Sequence, residues 1–550
     1  IAGFIVWDNG SPFWLALVVT VLSFVAFSQL FTVLTNWLST IIISPKPLPK
    51  MNYSEGIPPE DSTLVAVPCM LTSISGIEEL VEDLEIRYLS NIEDNLYFAL
   101  LTDFADAGEE RMPDDDRLLN YGKDLIEGLN IKYISDGADK FFLFHRPRKW
   151  NPQEKIWMAH ERKRGKLGEL NSFLRNAGYD DFSLVVGNAD AIKHVKYVIT
   201  LDADTHLPRE SAWKMIATMA HPLNKPVVDE KKNRVVEGYG LLQPRTAVSL
   251  PKSNSSFYTK MHANDSGLDP YTQLVSDVYQ DLFGEGSFVG KGIYDIDVFE
   301  KVLGETFPEN RILSHDLLEG SYVRAGLLTD VQLFEDYVPT YWADVARRHR
   351  WIRGDWQIAS WGLPWVPGKN KKLIKNYLSG LSRWKIFDNL RRSLVPASVV
   401  LLFIIGWLFL PQPLLWTVAI LAIWFLTPVL GAIWHTFHKS ADIDMKSHIN
   451  DVGAGFTLNL THIFFNIAVL LFEAWANIDA ILRANWRMLI SRRRLLQWTP
   501  SSAMKSKKQK DIADSYAYMW VPPFVAIITA ACILYFAPQN IFVAAPILIL

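Results

Sequence analysis

Between Asp8 and Lys46 the chain carries no ionisable side chain, and Pro12 to Ile43 is almost wholly apolar. A second uncharged run extends from Ser393 to Trp434. Crossing hydrocarbon takes a helix of about 20 residues, and in lipid the backbone amides must be satisfied within a helix or a closed barrel. Both runs are longer than that. They predict transmembrane helices, and everything else must fold around them. "SPKPLPK" at 44–50 ends the first, and its lysines place that exit on the cytoplasmic side.

From about 60 to 380 the pattern changes. Short β-rich runs, "TLVAVPCMLTS", "NLYFALLTD", "KFFLFHR" and "VKYVITLDAD", alternate with charged, helix-like stretches such as "GIEELVEDLEIRYL". Near-continuous apolar strands suit a sheet covered on both faces by crossover helices. The expected fold class is therefore α/β, a Rossmann-like, mostly parallel sheet in a cytoplasmic domain flanked by transmembrane helices. Such sheets take their ligands at the carboxyl ends of the strands, which is where Asp103 and Asp202 stand.

Beyond 380, "SRWKIFDNLRRSLV" reads as a basic interfacial helix, followed by spans near 396–410 and 413–434 with "PQP" as the turn. Segment 455–478 is apolar but holds Asn459, His462, Asn466 and Glu473, and is read as interfacial or re-entrant. A last hairpin starts near Trp520 and turns at "APQN". The basic residues Arg483, Arg487, Arg492, Arg493, Arg494, Lys505, Lys507, Lys508 and Lys510 mark a cytoplasmic face or a solvated linker. The plan is a membrane helix in 1–50 (with the end of a preceding span at 1–6), a catalytic domain in 51–380, and an interfacial helix and membrane hairpin in 381–435. Interfacial helices with the basic segment fill 436–518, and a cut-off hairpin fills 519–550. Lack of a starting Met and the apolar ending read as an excerpt of a larger polypeptide, whose further domains are expected partners.

A net charge of −4 gives no electrostatic support for a nucleic-acid partner. Two cysteines, Cys69 and Cys532, build neither a disulfide framework nor a zinc site.

The chemistry gathers in a few motifs. In "YVITLDADTHLP", Asp202 and Asp204 follow an apolar strand, and alternate carboxylates at a strand end can hold one divalent cation on a diphosphate. Hard oxygen ligands suit Mg²⁺ or Mn²⁺. Surface D-x-D pairs at turns are also common. Asp103 suits hydrogen bonds from a base or ribose, or else a turn or helix cap. Lys166, between Gly165 and Gly168, can face a phosphate or solvent. Asp316 in "RILSHDLLEG" is a candidate general base, or a capping residue. "RRHRWIRGDWQ" sets Arg350, a permanent cation, beside the flat face of Trp351, a pairing suited to diphosphate and sugar. A patch for anionic lipid is the alternative. "LFGEGSFVGKGIYDID" at 282–297, with Glu285 and Gly286, reads as a mobile loop on the acceptor side. Lys291 lacks a Walker pattern before it, which rejects a P-loop.

In this order the motifs resemble a family-2-type processive glycosyltransferase of GT-A fold, in which D, DxD, [T/S]xD and QxxRW stand between transmembrane helices. "KLGELN" at 166–171 is similar to the K-A-G-N-L-N of cellulose synthases, and "SHD" at 314–316 to the serine form of periplasmic glucan glucosyltransferases. "LDADTHLP", "YQDLFGEGSFVGKGIYD", "SHDLLEGSYVRAG" and "RRHRWIRGDWQ" together resemble the transferase module of cyclic β-1,2-glucan synthases, over roughly 60–500. Arg347 departs from the pattern, which has Gln there. The resemblance implies a bacterial inner-membrane enzyme with UDP-glucose as donor, a glucan acceptor attached to the synthase itself, a divalent metal, and inversion at C1. It also implies Asp316 as base, Asp103, Lys166, Asp202 and Arg350 on the donor, and Trp351 on the acceptor. Other β-glucan linkages or hexose donors, and a silent nucleotide- or glucan-binding scaffold, remain open at this point.

Overall fold

The computed structural model describes residues 2–8, 10–133, 139–175, 181–249, 256–262, 278–336, 338, 340–369, 372–439, 441–497 and 519–550. Lys505, Lys507, Lys508 and Lys510 lie outside the described residues.

One nine-stranded sheet organises the domain between the apolar helices. Its strands are β1 (Thr63–Leu71), β2 (Leu96–Phe104), β3 (Phe141–His145), β4 (Leu184–Val186), β5 (Tyr197–Thr200), β6 (Thr205–His206), β7 (Leu241–Val248), β8 (Gly292–Asp295) and β9 (Ala325–Glu335). Their order across the sheet is β4-β3-β2-β1-β5-β8-β7-β9-β6. Strands β1, β2, β3, β5, β7 and β9 run in one direction; β4, β8 and β6 run against it. Side chains alternate between faces along a strand, and both faces are filled. Leu64 and Ala66 join one apolar core while Val65 and Val67 join the other. In β2 every residue is buried. That double coverage is why these strands read as unbroken apolar runs rather than alternating ones.

The helices that position the site are α1 (Phe13–Ile42), α2 (Arg162–Leu174), α3 (Asp316–Tyr322), α4 (Tyr341–Gln357), α5 (Gly380–Leu408), α6 (Pro413–Phe437), α7 (Met445–Ala468) and α8 (Leu470–Trp486). Among the described residues, α1, α5 and α6 are long and apolar enough to cross a membrane. At the N-terminus, Ala2–Asp8 is a short helix folded back on α1; a Cβ on Gly3 would fall 1.8 Å from Thr20 Oγ1.

Two expectations change. The interfacial helix and the following span are one continuous helix, α5, running through Pro396. Its amphipathic first half is held from both sides. Arg391, paired with the fully buried Asp388, donates to Ser28 Oγ (2.8 Å) and Gln29 Oε1 (3.1 Å) on α1. Those contacts account for two of the polar residues inside the α1 run, Ser28 and Gln29. Segment 455–478 is not one helix either. Met445–Ala468 meets Leu470–Ser491 at a 62° bend, the shape of a broken span or a re-entrant segment.

Glu473, out of place in an apolar stretch, has partners. Arg348 on α4 pairs with it through two contacts of 2.5 and 2.6 Å, and the Tyr341 hydroxyl donates to it at 2.6 Å. His349 meets Asp479 at 2.9 Å. These pairs fasten α4, and with it the "RRHRW" motif, to the bent apolar helix.

Candidate active site

Because β1, β2 and β5 are parallel neighbours, Asp103 at the end of β2 and Asp202 just past β5 lie along one edge of the sheet. The DxD turn is fixed from beneath by Arg87, a residue the sequence reading passed over. It is buried, and donates to the carbonyls of Ala203 (2.7 Å) and Thr205 (2.9 Å). A guanidinium fork fits two adjacent acceptors in a fixed geometry, so the two carboxylates are presented by a braced backbone.

Their surroundings differ. Both oxygens of Asp202 are engaged by ammonium groups, Oδ1 by Lys163 at 2.6 Å and Oδ2 by Lys291 at 3.2 Å. Burial alone would raise its pKa, but the two lysines outweigh that and hold it well below the usual carboxylate range. Lys291 is itself shared with Glu335 at 2.5 Å. Asp204 has no hydrogen-bond or ion-pair partner among the described residues and is partly exposed. Of the expected metal pair, then, Asp204 is the carboxylate open to a cation, and a hard oxygen donor at a partly exposed strand end fits Mg²⁺ or Mn²⁺. The sequence does not separate the two.

Asp316 is the first residue of α3 and opens into the same space. A Cβ on Gly290 (φ +91°) would fall 2.9 Å from Asp316 Oδ1, so only glycine lets that loop pass over the carboxylate. Burial raises the Asp316 pKa, and Glu319 and Asp202 add to it against His315 and Lys163. His315 Nδ1 lies 2.8 Å from Glu319 Oε1 and 3.6 Å from Asp316 Oδ1. Burial presses the imidazole toward its neutral form, but Glu319 and Asp316 prevail and its pKa stands above the ordinary value. Donor atoms of His315, Asp316 and Glu319 all fall within 4.8 Å of one another, close enough for a cation by distance. The short His315–Glu319 contact favours an ion pair there instead.

One consequence is pH dependence. As the expected general base, Asp316 must be ionised to work, so activity should fall as pH drops through its raised pKa. The acid limb of a kcat–pH profile is expected above the ordinary carboxylate range, near 4. A limb at or below that range would contradict the assignment.

Arg350 feels the carboxylates of both halves: burial lowers its pKa, and Asp202, Asp204 and Asp316 oppose that. The approach of α4 to the Asp316 loop is close: a Cβ on Gly354 would fall 2.4 Å from Ser314 Cβ, and Gln357 Oε1 accepts from Leu313 N at 2.8 Å. Gly354 and Gln357 stand within the quoted motif but drew no attention as a sequence. Trp351 follows Arg350 on α4, with the Arg347 guanidinium 4.9 Å above its ring. Arg347 pairs with Asp344 at 2.8 Å. The departure from Gln thus sets a cation on the aromatic face proposed for sugar.

Asp103 and Lys166 are buried and meet each other at 2.8 Å. Arg146 adds two contacts to Asp103, of 2.8 and 3.2 Å, and reaches Glu169 at 2.9 Å. Burial opposes ionisation of Asp103, and Arg146 with Lys166 outweigh it, leaving the carboxylate below its usual range. Lys166 also donates to the Cys69 carbonyl. Removing one member of such a set leaves uncompensated buried charge. Asp103→Ala should therefore destabilise the fold by about 3–5 kcal/mol, read as a lowered Tm in detergent. An unchanged Tm would mean that water reaches the site and relieves the cations.

Glu285 and Gly286 lie farther toward the apolar helices. Glu285 is buried against Lys385 (3.4 Å) and Ser382 (3.3 Å) of α5, and Lys385 donates to the Gly286 carbonyl at 2.6 Å. The stretch read as a mobile loop is packed: Glu285, Gly286, Phe288 and Gly290 are buried, and residues 292–295 form β8. Its glycines serve close approach; a Cβ on Gly292 would fall 2.2 Å from the Leu242 carbonyl.

No family model matches the chain. Over 501 residues it is 40% identical to the cyclic beta-(1,2)-glucan synthase NdvB of Rhizobium meliloti (strain 1021). The likeness is to a segment of a glucan synthase. It takes in 90% of this chain but only 17% of that protein. Among solved structures, a mannosyltransferase of Pyrobaculum calidifontis, PcManGT in complex with GDP-Man and Mn²⁺, aligns with a TM-score of 0.39 at 12% identity. That alignment covers 86% of this chain and 99% of the other, and is too distant to bear on fold or chemistry.

Proposed function

We propose that this chain is the glucosyl-transfer module of a membrane-embedded β-1,2-glucan synthase of GT-A type, an inverting, processive enzyme using UDP-glucose and Mg²⁺ or Mn²⁺. The observation that carries the reading is that the DxD turn at the carboxyl end of β5 and Asp316 at the start of α3 meet at one point: Lys163 bridges Asp202 and the Gly290 carbonyl, and Gly290 passes directly over the Asp316 carboxylate. Likeness to the glucan synthase supports the choice of substrate. The acceptor is a growing glucan, attached to the larger polypeptide, and the catalytic domain faces the bacterial cytoplasm.

In this reading Asp103, kept ionised by Arg146 and Lys166, accepts hydrogen bonds from the uridine. Asp316 takes the proton of the acceptor's 2-hydroxyl as that oxygen attacks C1 of the donor glucose. The C1–oxygen bond to the diphosphate breaks on the opposite face, and UDP leaves with the electron pair. Arg350 stabilises the charge gathering on UDP, an interaction stronger in the transition state than in the ground state. Trp351, with Arg347 over its ring, holds the terminal sugar. Glu285 and Gly286 lie along the acceptor path toward α5. A divalent cation on Asp204, joined by Asp202, would neutralise diphosphate charge.

Purified protein in nanodiscs, given radiolabelled UDP-glucose and Mn²⁺, is expected to yield 2-linked glucose on methylation analysis. Product with another linkage would move the enzyme to a different β-glucan. Absence of any transfer would overturn the proposal.

A further inference from the structure

We infer that Lys163, outside every motif singled out in the sequence, is a donor-binding residue that exchanges partners: it leaves Asp202 for the sugar nucleotide's diphosphate. The inference rests on the glycosyltransferase reading above and deepens it. In this structure Lys163 Nζ sits between the DxD turn and the Asp316 loop, 2.6 Å from Asp202 Oδ1 and 2.7 Å from the carbonyl of Gly290, the residue that passes over Asp316. An ammonium there opposes a divalent cation approaching the same carboxylate, because like charges a few ångströms apart repel. Asp202 can therefore take a cation only as its lysine is drawn elsewhere. A diphosphate entering beside the cation is the anion able to draw it.

The two lysines on Asp202 are not equivalent. Lys291 is 6% exposed and pinned between two carboxylates, Asp202 and Glu335. Lys163 is 21% exposed and has one carboxylate and one carbonyl. The first is a fixed countercharge; the second has the freedom to move.

Local structure points the same way. Lys163 lies in the first turn of α2, where Arg162, Lys163 and Arg164 follow one another with no acidic residue. Cations in a first turn work against the helix dipole, whereas an anion is favoured there. Arg162 is committed to Asp106 and Arg164 to Glu161, so Lys163 is the one directed at the DxD carboxylate. Glu161 and Arg162 both hold positive φ (52° each) at the entry to the helix, a conformation uncommon outside glycine that surrounding structure must enforce.

The test is binding, in the whole chain in nanodiscs, with Mn²⁺ alone and with UDP plus Mn²⁺ as probes. Lys163→Met is expected to weaken UDP by about 10–100-fold, the range for losing a charged contact, while tightening Mn²⁺ alone. Lys163→Gln should repeat the opposed shifts, and Lys163→Arg should hold UDP near the wild-type affinity. Unchanged UDP affinity in Lys163→Met and Lys163→Gln would overturn the exchange. So would parallel weakening of UDP and Mn²⁺, the mark of a purely structural lysine. If the unaltered protein binds no UDP, the proposed function itself falls, an outcome distinct from either.

Discussion

Asp316→Asn is expected to lower turnover by about 10²–10⁴-fold, the range for a positioned general base. The amide keeps the size and the hydrogen-bonding reach of the carboxylate but cannot take a proton. Packing should survive: Gly290 still passes over the side chain, and α3 still begins there. UDP binding should also survive, since the proposed donor contacts are Asp103, Lys166, Asp202 and Arg350, with the cation on Asp202 and Asp204. The informative comparison is therefore transfer against UDP affinity in one preparation. Near-normal transfer by the variant would remove Asp316 from the role. Loss of both would show a misfolded site.

Asp204→Ala should abolish cation-dependent binding of UDP. Asp202 alone is a poor substitute: Lys291 holds one of its oxygens even when Lys163 is drawn to the diphosphate, so the variant offers the cation at most a single carboxylate oxygen at this strand end. Calorimetry with and without Mn²⁺ reads this directly. The wild-type protein should gain UDP affinity with the metal, and the variant should show no gain. An undiminished metal effect would move the cation elsewhere, with the His315, Asp316 and Glu319 cluster next in line. Stability should change little, because Asp204 makes no ion pair whose loss leaves a charge stranded.

Much of this site is legible in the sequence because its parts are local. Asp103 ends an apolar strand, Asp202 and Asp204 follow another, and Asp316 opens a helix; each is a strand or helix terminus readable from apolar runs and their breaks. Glycines gave a less certain signal. Those at 284–292 look like flexibility in a string of letters, yet Gly290 and Gly292 stand where a Cβ would strike Asp316 or the Leu242 backbone. The division of 381–435 into an interfacial helix and a span shared that difficulty. The charged residues of "SRWKIFDNLRRSLV" read as a separate interfacial helix, but the partners that keep α5 continuous come from α1 and the sheet domain.

What the sequence determined by itself is the plan: uncharged runs long enough for a bilayer, a doubly covered sheet between them, and carboxylates at the strand ends. Hydrophobic periodicity and length carry that information within a window of neighbours. Tertiary structure alone decided which charges meet. Lys163, Lys291, Glu335 and Asp202 are scattered between positions 163 and 335, and Arg348 finds Glu473 from a different helix. Coulomb interactions act through space with no memory of chain order, so which lysine holds which aspartate is settled only when the sheet and helices are in place.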